Sequence, residues 1–366
     1  RAKLLKQQGR DIISFGAGEP DFDTPDLIKN QAIKAIQEGF TKYTPSTGIL
    51  DLKKLIVEKF ERDNNLDYAP EQIIVSSGAK HCLYNIIQAI VDDGDEVLMG
   101  LPYWVSYPEM VKLAQGKPVV IKTQEKNNFK ITPKQLKENI NEKTKLLILN
   151  SPSNPTGVIY EKEELERIAK ICIESKIYVI SDEIYEKLIY DNKIHVSIAS
   201  LSKEIYDLTF TVNGFSKSFS MTGWRVGYMG GPKDAIRAIS NIQDHSTSNP
   251  CSISQKAAVA ALQMPGEWQE NMRKEFQKRR DFIMQQLDKL NIPYVRPEGA
   301  FYIFCNISKF GLDSVTFAKR LLEEAGVAVI PGDGFGCSDY IRLSFATSIN
   351  QIEKGLGKIK NWLEKI

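Results

Sequence analysis

Histidine is scarce in this chain of 366 residues, with three in all, and cysteine nearly so, with five. Cys82, Cys172, Cys251, Cys305 and Cys337 form an odd set without metal-ligand spacing, so neither a disulfide framework nor a metal site is expected, and a reducing cytoplasm is the simplest setting. No apolar run reaches transmembrane length, and no signal peptide is visible. Neither sign of charge dominates: 48 Lys and Arg are interspersed with 46 Asp and Glu, for a net charge of +2. That balance leaves no footprint for nucleic acid or a membrane surface. Internal repeats and low-complexity tracts are also lacking. What is present, at 42% hydrophobic residues, is enough apolar side chain to bury a large core over two domains.

Helical spacing in Leu52, Leu55, Ile56 and Phe60, repeated in Leu165, Ile168, Ala169 and Cys172, alternates with short apolar runs. The runs at 73–75, 96–99, 119–121, 146–149, 178–180, 209–212 and 226–229 predict one mostly parallel sheet covered by helices on both faces. After Pro265-Gly266, the polar stretch 267–290 predicts a long helix whose Arg273, Lys274, Lys278, Arg279 and Arg280 make a solvated face. Beyond it, apolar runs at 301–304, 327–330 and 341–345, a helix around 315–324 and a C-terminal helix predict a compact α+β unit. The expected fold is therefore α/β: a large domain, residues 22–275, with a mostly parallel sheet sandwiched by helices, plus a smaller α+β domain built from the N-terminal and C-terminal segments, residues 1–21 and 276–366. The chain opens on Arg1 in what reads as the end of a helix, Ala2 to Gln8 before Gly9, so a preceding segment is expected.

The densest chemistry lies in Asn213-Gly214-Phe215-Ser216-Lys217-Ser218-Phe219-Ser220-Met221-Thr222-Gly223-Trp224-Arg225. A lysine amine partly removed from water has a lowered pKa, attacks a carbonyl carbon and forms a Schiff base. Ser216 and Arg225 beside it suit a phosphate, the arginine through its planar two-pronged donors. A phosphorylated aldehyde cofactor needs that combination, although Lys217 alone reads equally as a solvated residue in a serine-rich loop. Three further segments place polar groups at strand ends, where open α/β sheets bind ligands. The apolar run 146–149 stops at Ser151-Pro152-Ser153-Asn154-Pro155-Thr156-Gly157, the run at 178–180 delivers Asp182 and Tyr185, and the run at 73–75 leads through Ser76-Ser77-Gly78-Ala79-Lys80 into a helix start. Amide groups at a helix start bind phosphate.

With these motifs in order, the chain resembles a class I aminotransferase of the pyridoxal-phosphate fold type I superfamily, in the subgroup of bacterial aspartate aminotransferases with a Gly-Glu-Pro-Asp-Phe-Asp-Thr-Pro segment. The likeness runs from Gly16-Ala17-Gly18-Glu19-Pro20-Asp21-Phe22-Asp23-Thr24-Pro25 to Tyr340-Ile341-Arg342-Leu343-Ser344. It implies pyridoxal 5′-phosphate as cofactor, and amino acids and 2-oxo acids as substrates. By resemblance, Lys217 anchors the cofactor and acts as base, while Asp182 pairs with the ring nitrogen. Asn154 and Tyr185 serve the 3-oxygen, and Trp104 stacks on the ring. Ser216, Arg225, Gly78 and Ala79 hold the phosphate. Arg342 grips the α-carboxylate, Gly18 lines the substrate pocket, and Lys80 meets a distal carboxylate. Tyr43 resembles a tyrosine that reaches the partner's phosphate, which implies a homodimer with shared sites; the segment before Arg1 would be an arm on that partner. Prephenate, or a broader aromatic or alanine preference, stays open within the same family. A lyase or decarboxylase of the same fold, and a cofactor-sensing regulator, are the other readings.

Overall fold

The computed structural model describes residues 1–365. After the two-residue strand β1 (Ile13–Ser14), seven strands build the main sheet: β2 (Ile73–Ser76), β3 (Glu96–Gly100), β4 (Lys117–Ile121), β5 (Thr144–Asn150), β6 (Tyr178–Asp182), β7 (Thr209–Gly214) and β8 (Gly227–Gly230). Their order is β2-β8-β7-β6-β5-β3-β4. All neighbours are parallel except those of β8, which runs antiparallel to both β2 and β7. Parallel pairing needs a crossover, usually helical, and the chain passes from β7 to β8 without one. The loop that makes this reversal carries Lys217 and Arg225.

Alternation explains how the sheet is covered. Leu146 and Ile148 of β5 pack with Cys82, Leu83 and Ile86 of the helix Ala79–Ile90 and with Ile236 and Ile239 of the helix Lys233–Ser246. Leu147 and Leu149 point the other way, into Leu165, Ile168 and Cys172 of the helix Lys162–Ser175. Side chains two apart share a face, so a strand apolar throughout must be covered on both. Every residue of β2, β7 and β8 is buried accordingly.

A second sheet, antiparallel, has the order β12-β13-β10-β9, from β9 (Tyr294–Val295), β10 (Tyr302–Asn306), β12 (Ile330–Pro331) and β13 (Tyr340–Ser344). The intervening β11 (Val327–Ala328) pairs in parallel with β1. The run at 327–330, read as one strand, is thus two, because its first half is claimed by the N-terminal segment and its second by β13. Ile13 and Phe15 share one apolar core with Phe301, Ile303, Leu343 and the helix Ile349–Leu363, so the two chain ends fold together.

A second expectation is overturned. In the helix Glu267–Lys289, Arg279 and Arg280 are buried rather than solvated. Arg280 Nη1 and Nη2 each donate to Asp191 at 2.7 Å, and Nε donates to Asp281 at 2.9 Å. Arg279 meets Asp21 at 2.6 Å and Glu275 at 2.9 Å. Buried guanidiniums persist only when paired, and two of these acids lie far away in sequence, out of reach of local pattern. The contact with Arg280 holds Asp191 down to about 2.

Gly227 of β8 lets the sheet touch the start of the helix Ala79–Ile90: a Cβ there would lie 2.3 Å from the Ala79 nitrogen and 2.6 Å from the Gly78 carbonyl carbon. Backbone cannot yield as a flexible side chain would. Gly227→Ala is expected to lower unfolding free energy by about 1–3 kcal/mol, measured by urea denaturation. An unchanged midpoint would show that the helix start shifts freely.

Candidate active site

The carboxyl ends of β5 and β6, the β7–β8 loop and Arg342 of β13 surround one cavity of about 570 Å³. Eleven of the residues expected from sequence line it: Gly18, Ala79, Lys80, Trp104, Asn154, Asp182, Tyr185, Ser216, Lys217, Arg225 and Arg342. Gly78 lies one step behind the wall, as N-cap of the helix Ala79–Ile90. Tyr43 is away from this cavity and 92% exposed.

One corner suits an anion. Gly78 has φ 93°, and a Cβ on it would come within 2.5 Å of Arg225 Nη2, so only glycine allows the guanidinium to lie against the helix start. Arg225 is held there by Nη1, which donates to the Thr222 carbonyl at 2.9 Å, and by Nη2, which donates to that of Ser77 at 3.4 Å. A cation, a helix amino end and the buried Ser216 hydroxyl converge, the donor set a phosphate monoester takes.

Asp182 ends β6 and is buried. Its Oδ2 accepts the Tyr107 phenol at 2.6 Å and its Oδ1 the Ile184 amide at 3.3 Å. Burial pushes its carboxyl up to about 6, with the Tyr107 bond opposing. A protonated ring nitrogen beside it would reverse that shift, which is what a pyridinium ligand offers. Tyr185, one helical turn on, shares a 2.9 Å hydrogen bond with Tyr302, and burial raises its phenol well above the ordinary value.

Lys217 donates to the Gly18 carbonyl, and its amine lies 5.9 and 5.8 Å from the ring centroids of Tyr185 and Phe301. Desolvation lowers its pKa to about 8; Arg342 and Arg225 push the same way, Glu19 and Asp182 the other. Such an amine is neutral often enough near pH 7 to act as nucleophile or base.

Arg342 stands mid-strand in β13, opposite Phe304 and Ile330, and is buried. Its Nη1 donates to Asn154 Oδ1 at 2.8 Å, and the guanidinium carbon lies 4.1 Å from the Tyr302 ring centroid. Nε has no partner among the described residues. A buried guanidinium with an unused donor, facing a cavity, fits a carboxylate. Lys80, exposed in the first turn of its helix, rests its ammonium 4.8 Å from the Trp104 ring centroid.

Sequence reasoning missed Tyr107, Tyr302, Phe335, Ile330 and Glu19, all on the cavity wall. Tyr107 had a signal: it follows Trp104 by three residues at a helix start, so the two rings meet edge to face at 5.3 Å. Tyr302 had none, since it stands in an apolar strand that reads as core.

An open sheet with one reversed strand and an amine, an anion corner and a buried guanidinium at its carboxyl edge is the architecture of fold type I enzymes. The chain belongs to the aminotransferase class I and II family, whose model matches residues 10–359, and it is a transferase of amino groups. It is similar to an aspartate aminotransferase of Bacillus subtilis (strain 168), 52% identical over 100% of this chain and 94% of that one. It is also similar to a probable aspartate/prephenate aminotransferase of Aquifex aeolicus (strain VF5), 46% identical over 100% and 94%. Among solved structures, the aspartate aminotransferase of Thermus thermophilus with maleate superposes with a TM-score of 0.95 at 43% identity, over 98% of this chain and 94% of that one.

Because the Tyr107 bond opposes the upward shift of Asp182, Tyr107→Phe should raise the Asp182 pKa above about 6. Carboxyl titration of the cofactor-free protein by infrared difference spectroscopy, with Asp182→Asn to assign the band, measures it. A carboxyl raised above its unfolded value of ~3.9 makes the fold less stable as pH rises from there through its folded value, and Tyr107→Phe extends that loss to higher pH.

Proposed function

We propose that this aminotransferase interconverts L-aspartate and 2-oxoglutarate with oxaloacetate and L-glutamate, with pyridoxal 5′-phosphate as its cofactor. The observation that carries this reading is that two cations from different elements, Arg342 of β13 and Lys80 of the helix Ala79–Ile90, line one cavity with Lys217. A substrate with two carboxylates needs two cations. The aspartate names of the Bacillus and Thermus proteins agree with it.

Pyridoxal 5′-phosphate, when bound, supplies an aldehyde carbon for an amine and a ring that withdraws electrons from the substrate's α-carbon. Arg225, Ser216 and the Gly78–Ala79 helix start would hold the phosphate, Trp104 would lie against the ring, and Asn154 and Tyr185 would serve its 3-oxygen. Asp182 would keep the ring nitrogen protonated, a charge that satisfies the buried carboxylate in turn. Lys217 would move the proton at the α-carbon: with a pKa of about 8, on the order of a tenth of its amines are neutral at pH 7. Gly18 would close the substrate side. Arg342 anchors the α-carboxylate, which opposes its loss as carbon dioxide and favours transamination over decarboxylation.

A second reading rests on Lys80, whose ammonium lies on Trp104, and on the apolar wall of Val105, Ile330 and Phe335. Those surfaces suit a larger substrate such as prephenate or an aromatic amino acid, in keeping with the name of the Aquifex protein. Comparing kcat/KM for aspartate and for arogenate, the amino product of prephenate, separates the two, while Lys80→Ala tests the distal-carboxylate role itself. Loss of one charge-assisted contact is expected to cut kcat/KM for aspartate and glutamate by roughly tenfold to a hundredfold, leaving alanine and phenylalanine nearly unchanged in a coupled assay. A uniform fall for all four would assign Lys80 to the cofactor or the fold.

The reading includes a cytoplasmic homodimer and a division into residues 22–275 and residues 1–21 with 276–366, the second boundary falling within the helix Glu267–Lys289. Tyr43 supports the dimer: it is almost fully exposed, with Leu27, Ile33, Ile36 and Leu50 also more than half exposed nearby in sequence. No helix among the described residues is long and apolar enough to cross a membrane. If Tyr43 completes the neighbouring subunit's site, then Lys217→Ala and Tyr43→Ala proteins, each inactive or nearly so, should regain activity when dissociated together and reassociated. Additive activities in the mixture would leave each site within one chain.

A further inference from the structure

Behind the cavity lies a buried group of charges that the reaction does not use. The turn after β6 alternates: Asp182 and Tyr185 face the cavity, whereas Glu183 and Glu186 face away and are buried. Each oxygen of Glu183 is occupied. Oε1 accepts Ser181 and Ser197 hydroxyls, both at 2.7 Å, and Oε2 meets His195 Nε2 at 2.8 Å and the Asn64 amide at 3.1 Å. Glu186 accepts the same Asn64 amide at 2.8 Å and pairs with the buried ammonium of Lys59, which also donates to Asn64 Oδ1 at 2.6 Å. Among the described residues Glu183, Glu186 and His195 have the makings of a metal site, but the Lys59 ammonium already lies on Glu186.

We propose that His195, as imidazolium, is a positioning residue of the active site: with Lys59 it holds Glu183 and Glu186 and so fixes the turn that presents Asp182 and Tyr185. Two buried carboxylates three residues apart repel each other, and the permanent cation in contact with them is Lys59, on Glu186. His195 is the group in contact with Glu183 able to be a second. Around the pair the remaining charged and titratable groups are Lys187 and Arg62, both drawn to Asp63 at 2.9 Å, and the Tyr228 phenol of β8; among the described residues neither of these cations forms an ion pair with Glu183 or Glu186. In keeping with this, Glu183 raises the pKa of His195 above the ordinary value against the lowering effect of burial. Deprotonation would leave two carboxylates sharing one ammonium, and the turn bearing both cofactor-facing groups would relax. The gain in stability from the pair is complete below about 6.5 and is lost as pH rises through the raised value.

This inference rests on the roles proposed for Asp182 and Tyr185, and the test separates the two. With only three histidines in the chain, ¹⁵N-histidine NMR of the cofactor-loaded enzyme can follow His195, assigned by its loss in His195→Gln. Its midpoint should lie above ~6.5. The kcat and the visible absorbance of the bound cofactor should change with that same midpoint while KM stays level. His195→Gln should be lower in kcat by about tenfold or more, with that pH limb gone. Glu183→Gln/His195→Gln, which removes one charge of each sign, should recover most of the loss. A midpoint at or below 6.5, a His195→Gln protein with lowered Tm but unchanged kcat and absorbance profile, or a double variant no better than the single one would overturn the proposal. Should Asp182→Asn prove fully active, the underlying site assignment fails instead, whatever His195 does.

Discussion

The 2.8 Å hydrogen bond from Arg342 to Asn154 ties the antiparallel sheet to the carboxyl edge of the main sheet, and the site depends on it. Arg342 is carried by β13, in a core that joins both chain ends, whereas Asn154 follows β5. Neither element would place a cation near Lys217 unaided. The guanidinium is further fixed by its contact with Tyr302, whose phenol in turn meets Tyr185. A carboxylate bound by Arg342 is therefore referred, through two side chains, to the same turn that carries Asp182. Orientation of this kind supplies much of what a positioned substrate gains over one in solution.

The groups lining the cavity carry an electrostatic cost. Asp182 is pushed up and Lys217 pushed down, both first by burial, so the carboxylate is disfavoured where a charge is needed while the amine is moved towards its neutral, basic form. A cationic ring nitrogen and a phosphate dianion would relieve Asp182 and Arg225 together. Binding to the folded state alone then stabilises it by mass action. The same low dielectric that raises this cost would strengthen every contact to a bound ligand.

Much of this was legible in sequence because the main sheet follows rules that act locally. Apolar runs bounded by turns identify all seven strands, and the carboxyl-edge rule singles out Asn154, Asp182 and Tyr185. Illegible features were those decided by distant partners. Arg279 reads as solvated until Asp21, 258 residues earlier, comes against it. The split between β11 and β12 depends on β1, at the other end of the chain. Tyr107 and Tyr302 are aromatic residues among many, and only the positions of Asp182 and Arg342 show what their rings and phenols do. The Glu183–His195 network lies in the same class, since Lys59 and Asn64 come from a helix more than a hundred residues upstream.

Lys80 on Trp104 has a consequence for an enzyme that must accept two acids in turn. Aspartate and glutamate differ by one methylene, so, in the proposed roles of Arg342 and Lys80, their distal carboxylates would not both reach a rigid donor while the α-carboxylate stayed on Arg342. An ammonium on a four-carbon stem, resting on an indole face to which it is only weakly attracted, can follow that difference in length. On the proposed role of Lys80, the aromatic ring would be a parking surface for that charge, and the tolerance of the pocket would be set by how far it could swing.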